Sequence, residues 1–275
     1  MTAFRAVALQ FTGVPLELAA NRSRLESHLR VAAAGGARLV VVPELATTGY
    51  TLSPELRDLS EEVPGPTTRW MSAMAAELDL TIVTSIAARV REGVSNLGVI
   101  VTPDGIAAGG AKRGLWGGEP ALFARGAPGE WAVARTPVGR VGVAICYEAG
   151  FPEVARQLAL AGAEIIAVPA AFGAARLHAW RLMTRSRALE NGCFVVAANN
   201  AGTSTAPEPI AFCGHSTIVD PTGRTLQTIP EGEGQISALI DLALVGRARA
   251  AIPYLADLTH VTPSSGSSLR PAVRP

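Results

Sequence analysis

Short apolar runs of β-branched and small residues recur along the chain and stop abruptly: LVVV at Pro43, VGVAI at Cys146, IIAVPAAF at Gly173 and CFVVAAN at Asn200. A run too short for a buried helix and rich in β-branched residues reads as a strand covered on both faces. Such strands need layers on either side, so the pattern restricts the chain to an α/β fold built on a mixed sheet. The periodicity predicts strand 4–11, helix 17–34, strand 38–42, helix 67–78 and strands 81–88 and 96–102. Strands 131–135 and 140–145, helix 152–160, strand 164–168, helix 174–191 and strand 193–199 follow, and strands 214–219 and 235–240 flank the turn DPTG.

Several of these strands end on chemistry. Cys146 closes VGVAIC just before the polar, aromatic stretch YEAGFPE, at the carboxyl end of a strand, where α/β sheets present their reactive groups. Glu44 follows LVVV, with Pro43 ending the ladder and forcing a turn. The glycine-studded loop GGAKRGLWGGEPALF carries Lys112 and Glu119. A thiol, an ammonium and a carboxylate thus occupy three strand-end loops. Each alone has an ordinary explanation, since free cysteines are commonly buried and loop charges are commonly solvated.

At 275 residues with 48% hydrophobic and 17% charged content, the chain can bury a large core, and no linker interrupts the pattern. One domain over 1–260 is expected, with a tail over 261–275 that is mobile or packed on a partner subunit. A net charge of +1 with interspersed acids and bases argues against nucleic acid and against a charged membrane. No apolar stretch approaches the roughly 20 residues of a membrane span, and the first residues lack the apolar core of a signal peptide. Three cysteines at irregular spacing argue for a reduced, cytoplasmic setting, with Cys193 inside a strand and Cys213 near a strand start. His28, His178, His215 and His260 have no ligand spacing, and no glycine-rich phosphate loop is complete, so neither a metal nor another cofactor is expected.

Read together, PELATTGY, the Lys112 segment and ICYEAGFPE resemble the three motif blocks of the nitrilase superfamily, the carbon-nitrogen hydrolases. GAEIIAVPAAFG, WRLMTRSRALENGCFVVAANNAG, FCGHSTIVDPTGR and IPYLADL resemble further blocks in the family's order, so the likeness spans nearly the whole chain. The resemblance implies a four-layer α-β-β-α sandwich. It also implies a triad of Glu44 as general base, Lys112 as transition-state lysine and Cys146 as nucleophile, with Glu119 as a second glutamate. Many members carry an aromatic and a basic residue before the lysine and a histidine two after it. This chain has Gly110, Ala111 and Gly114 there.

Tyr147 and Glu148 after the nucleophile, in place of the Trp-Glu pair of true nitrilases, resemble the amidase branches. The resemblance therefore implies hydrolysis of a small primary amide through a cysteine thioester, with a nitrilase or an N-carbamoyl amine amidohydrolase as alternatives. An acyltransferase or a non-catalytic binding protein on the same fold is the reading from another class. Tyr50, Tyr147, Glu148 and Phe172 are expected to line the pocket. Arg187 and Glu190 have the i, i+3 spacing of a helix-face pair. Family members usually dimerise through the helix after the nucleophile and helix 174–191, so a homodimer or higher homo-oligomer is expected.

Overall fold

Alternation within single strands divides the interior into separate cores. In β1 (Ala3–Gln10), Ala6 and Ala8 face one apolar cluster while Val7 and Leu9 face another. The same division splits Leu39 and Val41 from Val40 in β2 (Ala37–Val41), and Val83 from Ile82 in β3 (Thr81–Val90). In β4 (Gly93–Thr102) it splits Ile100 from Val99 and Val101. Strands buried on both faces read as continuous apolar runs, which is why they were legible. The structure is a computed structural model and describes residues 3–204 and 209–261. From residue 262 onward, the expected tail lies outside the described residues.

The remaining strands are β5 (Gly105–Ala111), β6 (Val133–Thr136), β7 (Gly139–Val143), β8 (Ile165–Ala170) and β9 (Phe194–Asn199). They are followed by β10 (Ala201–Ser204), β11 (Ile210–Cys213), β12 (Ser216–Val219), β13 (Thr225–Ile229) and β14 (Gly234–Asp241). One sheet runs β14-β1-β2-β3-β4-β5, with β1, β2 and β3 parallel. The other runs β13-β12-β9-β8-β7-β6, with β9, β8 and β7 parallel. They are joined edgewise between β1 and β9 by one residue pair, Gln10 with Asn199. β10 and β11 form a separate hairpin.

The inner faces of the two sheets pack together. Ala6, Leu39, Val83 and Ile100 of the first share a cluster with Val141, Val143 and Ile166 of the second. α1 (Leu18–Ala34) and α2 (Pro66–Leu78) cover the first sheet's outer face with Leu25, Leu29, Met71 and Met74. α3 (Pro152–Leu160) and α4 (Leu177–Asn191) cover the second with Leu158, Trp180 and Ala188. The result is the four-layer α-β-β-α arrangement. No described helix is long and apolar enough to cross a membrane.

The sequence reading passed over four strands and two helices. β5 is GIAAGGA, whose glycines carry no strand signal but allow close approach: a Cβ on Gly110 would stand 3.0 Å from the Cβ of Ala132. The short hairpin strands β10 and β11 also carry too little periodicity to read. β13 is TLQTI, almost wholly exposed, so the DPTG turn joins β12 to β13 rather than to the strand at 235–240. α5 (Ala243–Ala251) buries only Val245 and shows no clear apolar face. α6 (Leu258–Val261) is a single turn.

Candidate active site

Glu44, Lys112 and Cys146 follow β2, β5 and β7, and these strands end on the same side of the sandwich. Glu44, Lys112 and Glu119 are completely buried and Cys146 is 6% exposed. The Lys112 Nζ donates to Glu44 Oε1 at 2.7 Å and to Glu119 Oε1 at 2.7 Å. A buried ammonium is tolerable only when paired in this way.

Each carboxylate is held by further donors. Glu44 Oε1 also accepts from Asn96 Nδ2 at 2.7 Å, and its Oε2 accepts from the Ala171 N–H at 3.0 Å, just beyond β8. Glu119 Oε1 accepts from the Tyr50 hydroxyl at 2.8 Å and Oε2 from the Trp116 N–H at 2.7 Å. The Cys146 thiol lies beside the Glu44 carboxylate and the Ala171 amide.

Cys146 has φ +48° and opens a short 3-10 turn, Cys146–Gly150. A non-glycine residue in the left-handed region costs energy and persists only where its surroundings hold it. Here they do so from two sides. Glu148 Oε2 accepts from the Ile145 N–H at 2.9 Å, while its Oε1 accepts from the Arg113 N–H at 2.8 Å and Nε at 2.9 Å. From α4, Arg187 donates to the carbonyls of Ala149 at 2.8 Å and Gly150 at 3.1 Å, and pairs with Glu190 at 2.8 Å. The Tyr147 N–H lies in the first turn of the Cys146–Gly150 segment, where backbone donors have no partner within the turn itself.

Burial and charge set the protonation states. Burial pushes the Glu44 carboxyl above its usual range, against the opposing pull of the Lys112 ammonium. Burial also works against the Lys112 ammonium, but Glu44, Cys146 and Glu119 together outweigh it and hold its pKa above that of an ordinary lysine. The Cys146 thiol is pushed well up by burial and then by the Glu44 charge. Tyr50, raised by burial and by Glu119, stays a neutral donor. A neutral thiol therefore faces a carboxylate of more than ordinary basicity, next to a fixed cation.

The four expected pocket residues divide into two pairs. Tyr147 and Phe172 make aromatic contacts: the Tyr147 ring lies 5.0 Å from Trp116 and 5.1 Å from Phe151, and the buried Phe172 lies 5.3 Å from Trp180. Tyr50 and Glu148 have their polar atoms engaged, Tyr50 by Glu119 and Glu148 by the lysine and cysteine loops, so each braces the site from below. At Gly114, a Cβ would meet Phe151 at 3.2 Å and the Glu148 Cγ at 3.4 Å, so glycine lets the two loops close together. Cys193 is buried immediately before β9, and Cys213 ends β11 rather than starting a strand. Among the described residues no three His, Cys, Asp or Glu side chains are grouped to hold a metal ion.

Asn96, Trp116 and Ala171 escaped the sequence reading. Asn96 had a signal: an amide in the middle of the apolar strand GVSNLGVIVT must find a buried partner. The other two act through backbone amides, which no side-chain pattern reveals.

A family model described as carbon-nitrogen hydrolase matches residues 5–250. The chain is 33% identical over 210 residues to "Probable nitrilase C965.09" of Schizosaccharomyces pombe, covering 74% of this chain and 75% of that protein. It is also 33% identical over 224 residues to the 2-oxoglutaramate amidase of Bacillus subtilis, covering 81% and 85%. Among solved structures it resembles a CN-hydrolase superfamily protein of Xanthomonas campestris that carries an arsenic adduct in its active site. That likeness has a TM-score of 0.84 and 28% identity, over 99% of this chain and 100% of that one. Sandwich, sequence and structural likeness agree: the chain belongs to the carbon-nitrogen hydrolase family and is an enzyme that cleaves non-peptide C–N bonds.

Proposed function

We propose that the enzyme is an amidase that converts a small primary amide to carboxylate and ammonia through a thioester on Cys146. The observation that carries this reading is the buried Glu44–Lys112 pair beside the Cys146 thiol. Glu44 takes the thiol proton as sulfur attacks the amide carbon, which removes the need for a standing thiolate. Negative charge then grows on the carbonyl oxygen, and the Lys112 ammonium and the Tyr147 N–H receive it. Such fixed donors lower a barrier by about 3–4 kcal/mol each. Glu44 returns the proton to nitrogen, ammonia leaves, and the acyl group remains on sulfur. The same carboxylate then takes a proton from water as it attacks the thioester, and gives that proton to the sulfur as the C–S bond breaks, which releases the acid and restores the thiol and the carboxylate. Glu119 keeps Lys112 aimed.

A nitrile enters the same site by addition of the thiol across the C≡N bond, and an N-carbamoyl amine by attack at its carbonyl. A panel of small amides, nitriles and N-carbamoyl amines, assayed for ammonia beside Cys146→Ala, separates these. Cys146-dependent release from the amides supports the reading, and release from another class alone replaces it. Capture of the acyl group by hydroxylamine tests for acyl transfer. Cys146→Ala removes a small side chain that relieves its own backbone strain little, so its thermal midpoint should stay within a few degrees of the parent while turnover vanishes. The reading extends to a homodimer joined through α3 and α4.

A further inference from the structure

The Glu44 carboxylate is loaded unevenly. Oε1 accepts from Lys112 Nζ and from Asn96 Nδ2, both at 2.7 Å, whereas Oε2 has one fixed donor, the Ala171 N–H at 3.0 Å. Hydrogen bonds favour the charged form of the oxygen that accepts them, so Oε2 is the readier of the two to take a proton. The Ala171 N–H also faces the Cys146 sulfur. One backbone donor thus stands between the base and the nucleophile.

That donor is fixed from the other edge of its own peptide. The Ala170 carbonyl and the Ala171 N–H belong to one planar trans unit and point in opposite directions. The carbonyl accepts twice from Asn200, from its N–H at 3.0 Å and from its Nδ2 at 3.1 Å. Asn200 Nδ2 also donates to the Glu44 carbonyl at 3.3 Å, so one side chain ties this peptide to the residue it serves. Donors on a peptide carbonyl polarise the unit and strengthen its N–H in turn. The next peptide is pinned as well: the Phe172 N–H donates to Asn199 Oδ1 at 2.7 Å, and Asn199 Nδ2 donates to the Gly214 carbonyl at 2.7 Å. Both asparagines are buried, and Asn199 ends β9 at the pair that joins the two sheets.

We propose that Asn200 is a positioning residue that aims the Ala171 N–H at both Glu44 Oε2 and the Cys146 sulfur, so that one donor steadies the charge on either side of the proton transfer. This rests on the amidase reading. The thiol proton passes to Oε2, the S–H electron pair forms the bond from sulfur to the amide carbon, and the C=O pair moves to oxygen. Charge leaves Oε2 by way of the sulfur, and the Ala171 N–H meets it there without a change of backbone.

The test is Asn200→Leu. Asn200 Oδ1 is buried with no hydrogen-bond partner among the described residues, so leucine, of similar volume, removes an unmet acceptor along with the two side-chain bonds. The backbone N–H of residue 200 still holds the Ala170 carbonyl. The ionisable groups that face Glu44 and Cys146, which are Lys112, Glu119 and Tyr50, all stay in place. The variant should lose about tenfold in kcat, with KM near that of the parent. A weakened bond to the carboxylate raises its pKa, and a weakened bond to the thiolate raises that of the thiol. The acid limb of kcat/KM and the pH profile of iodoacetamide alkylation of Cys146 should therefore both move to higher pH.

A role confined to the fold would lower the amount of active protein and leave both profiles in place, and that result overturns the proposal. So does a change in KM with kcat intact. Circular dichroism checks the fold, and Asn200→Ala takes the place of Asn200→Leu if the latter does not fold. Alkylation needs no substrate, which separates the two readings. If no amide releases ammonia in a Cys146-dependent manner, the amidase reading fails, and the alkylation profile alone decides Asn200: a shift to higher pH supports its role and an unmoved profile overturns it.

Discussion

Glu44 faces opposed demands. It must be charged to take a proton, yet it is completely buried, where charge is costly. Three donors meet that cost: Lys112, Asn96 and the Ala171 amide. They compensate only in part, because burial still raises the Glu44 pKa. Catalysis needs the base form, so kcat/KM should fall as the pH drops through a value above the ordinary glutamate pKa of about 4.3. Hydrogen bonds to the charged form lower a carboxyl pKa, so Asn96→Leu, which removes one, should move this acid limb to higher pH. The profile of kcat/KM, together with the rate of Cys146 alkylation across the same pH range, measures the displacement. A limb that stays in place in Asn96→Leu would show that Asn96 has only a packing role.

At the scale of elements, α4 is both a covering helix and a clamp. It buries Trp180 and Ala188 against the second sheet, and through Arg187 it holds two carbonyls of the turn that begins at Cys146. Arg187→Met keeps most of the apolar stem and removes these bonds. Hydrogen bonds to a charged donor contribute about 1.5–3 kcal/mol each, so unfolding in urea should show a loss of about 2 kcal/mol or more. The strain at Cys146 then has less to hold it, and kcat should fall more than KM rises. A variant with lowered stability and intact kcat would confine Arg187 to the fold. The helix itself was plain in the sequence, as were the strands buried on both faces, because their patterns are local. Arg187 and Glu190 were readable as a pair for the same reason. The carbonyl bonds of Arg187 and the link from Arg113 to Glu148 span 35 or more positions, and no local pattern announces them. Glu44 and Cys146 were visible because each closes an apolar strand with a chemical group at the sheet's carboxyl edge, and Lys112 because it stands in a glycine-studded loop that resembles a family motif block. β5 and β13 were not, since one is mostly glycine and alanine and the other faces solvent.

Across the whole molecule, the two helical layers differ in what they leave exposed. α1 shows one large apolar side chain, Val31, at 60% exposure, and none on α2 reaches that class. On the opposite layer, Leu182 is 67% and Leu189 41% exposed on α4, and Leu160 is 51% exposed at the end of α3. Leu182 and Leu189 are seven residues apart and share a helix face. Fully burying an exposed leucine gains about 1.5–3 kcal/mol, and covering these partly exposed ones gains a share of that, so several together favour association of two copies across this layer. In the proposed homodimer a two-fold axis across this layer would bring each Leu182 close to the partner's helices, and a charge at that position would meet desolvation in both copies at once. Leu182→Glu should therefore convert a dimer to a monomer, read by sedimentation at micromolar concentration, while the isolated sandwich keeps its circular dichroism. α4 also anchors the nucleophile turn, so the monomeric variant should lose part of its kcat along with its partner. A parent chain that sediments as a monomer, or a Leu182→Glu variant that remains dimeric, would place the contact elsewhere or remove it.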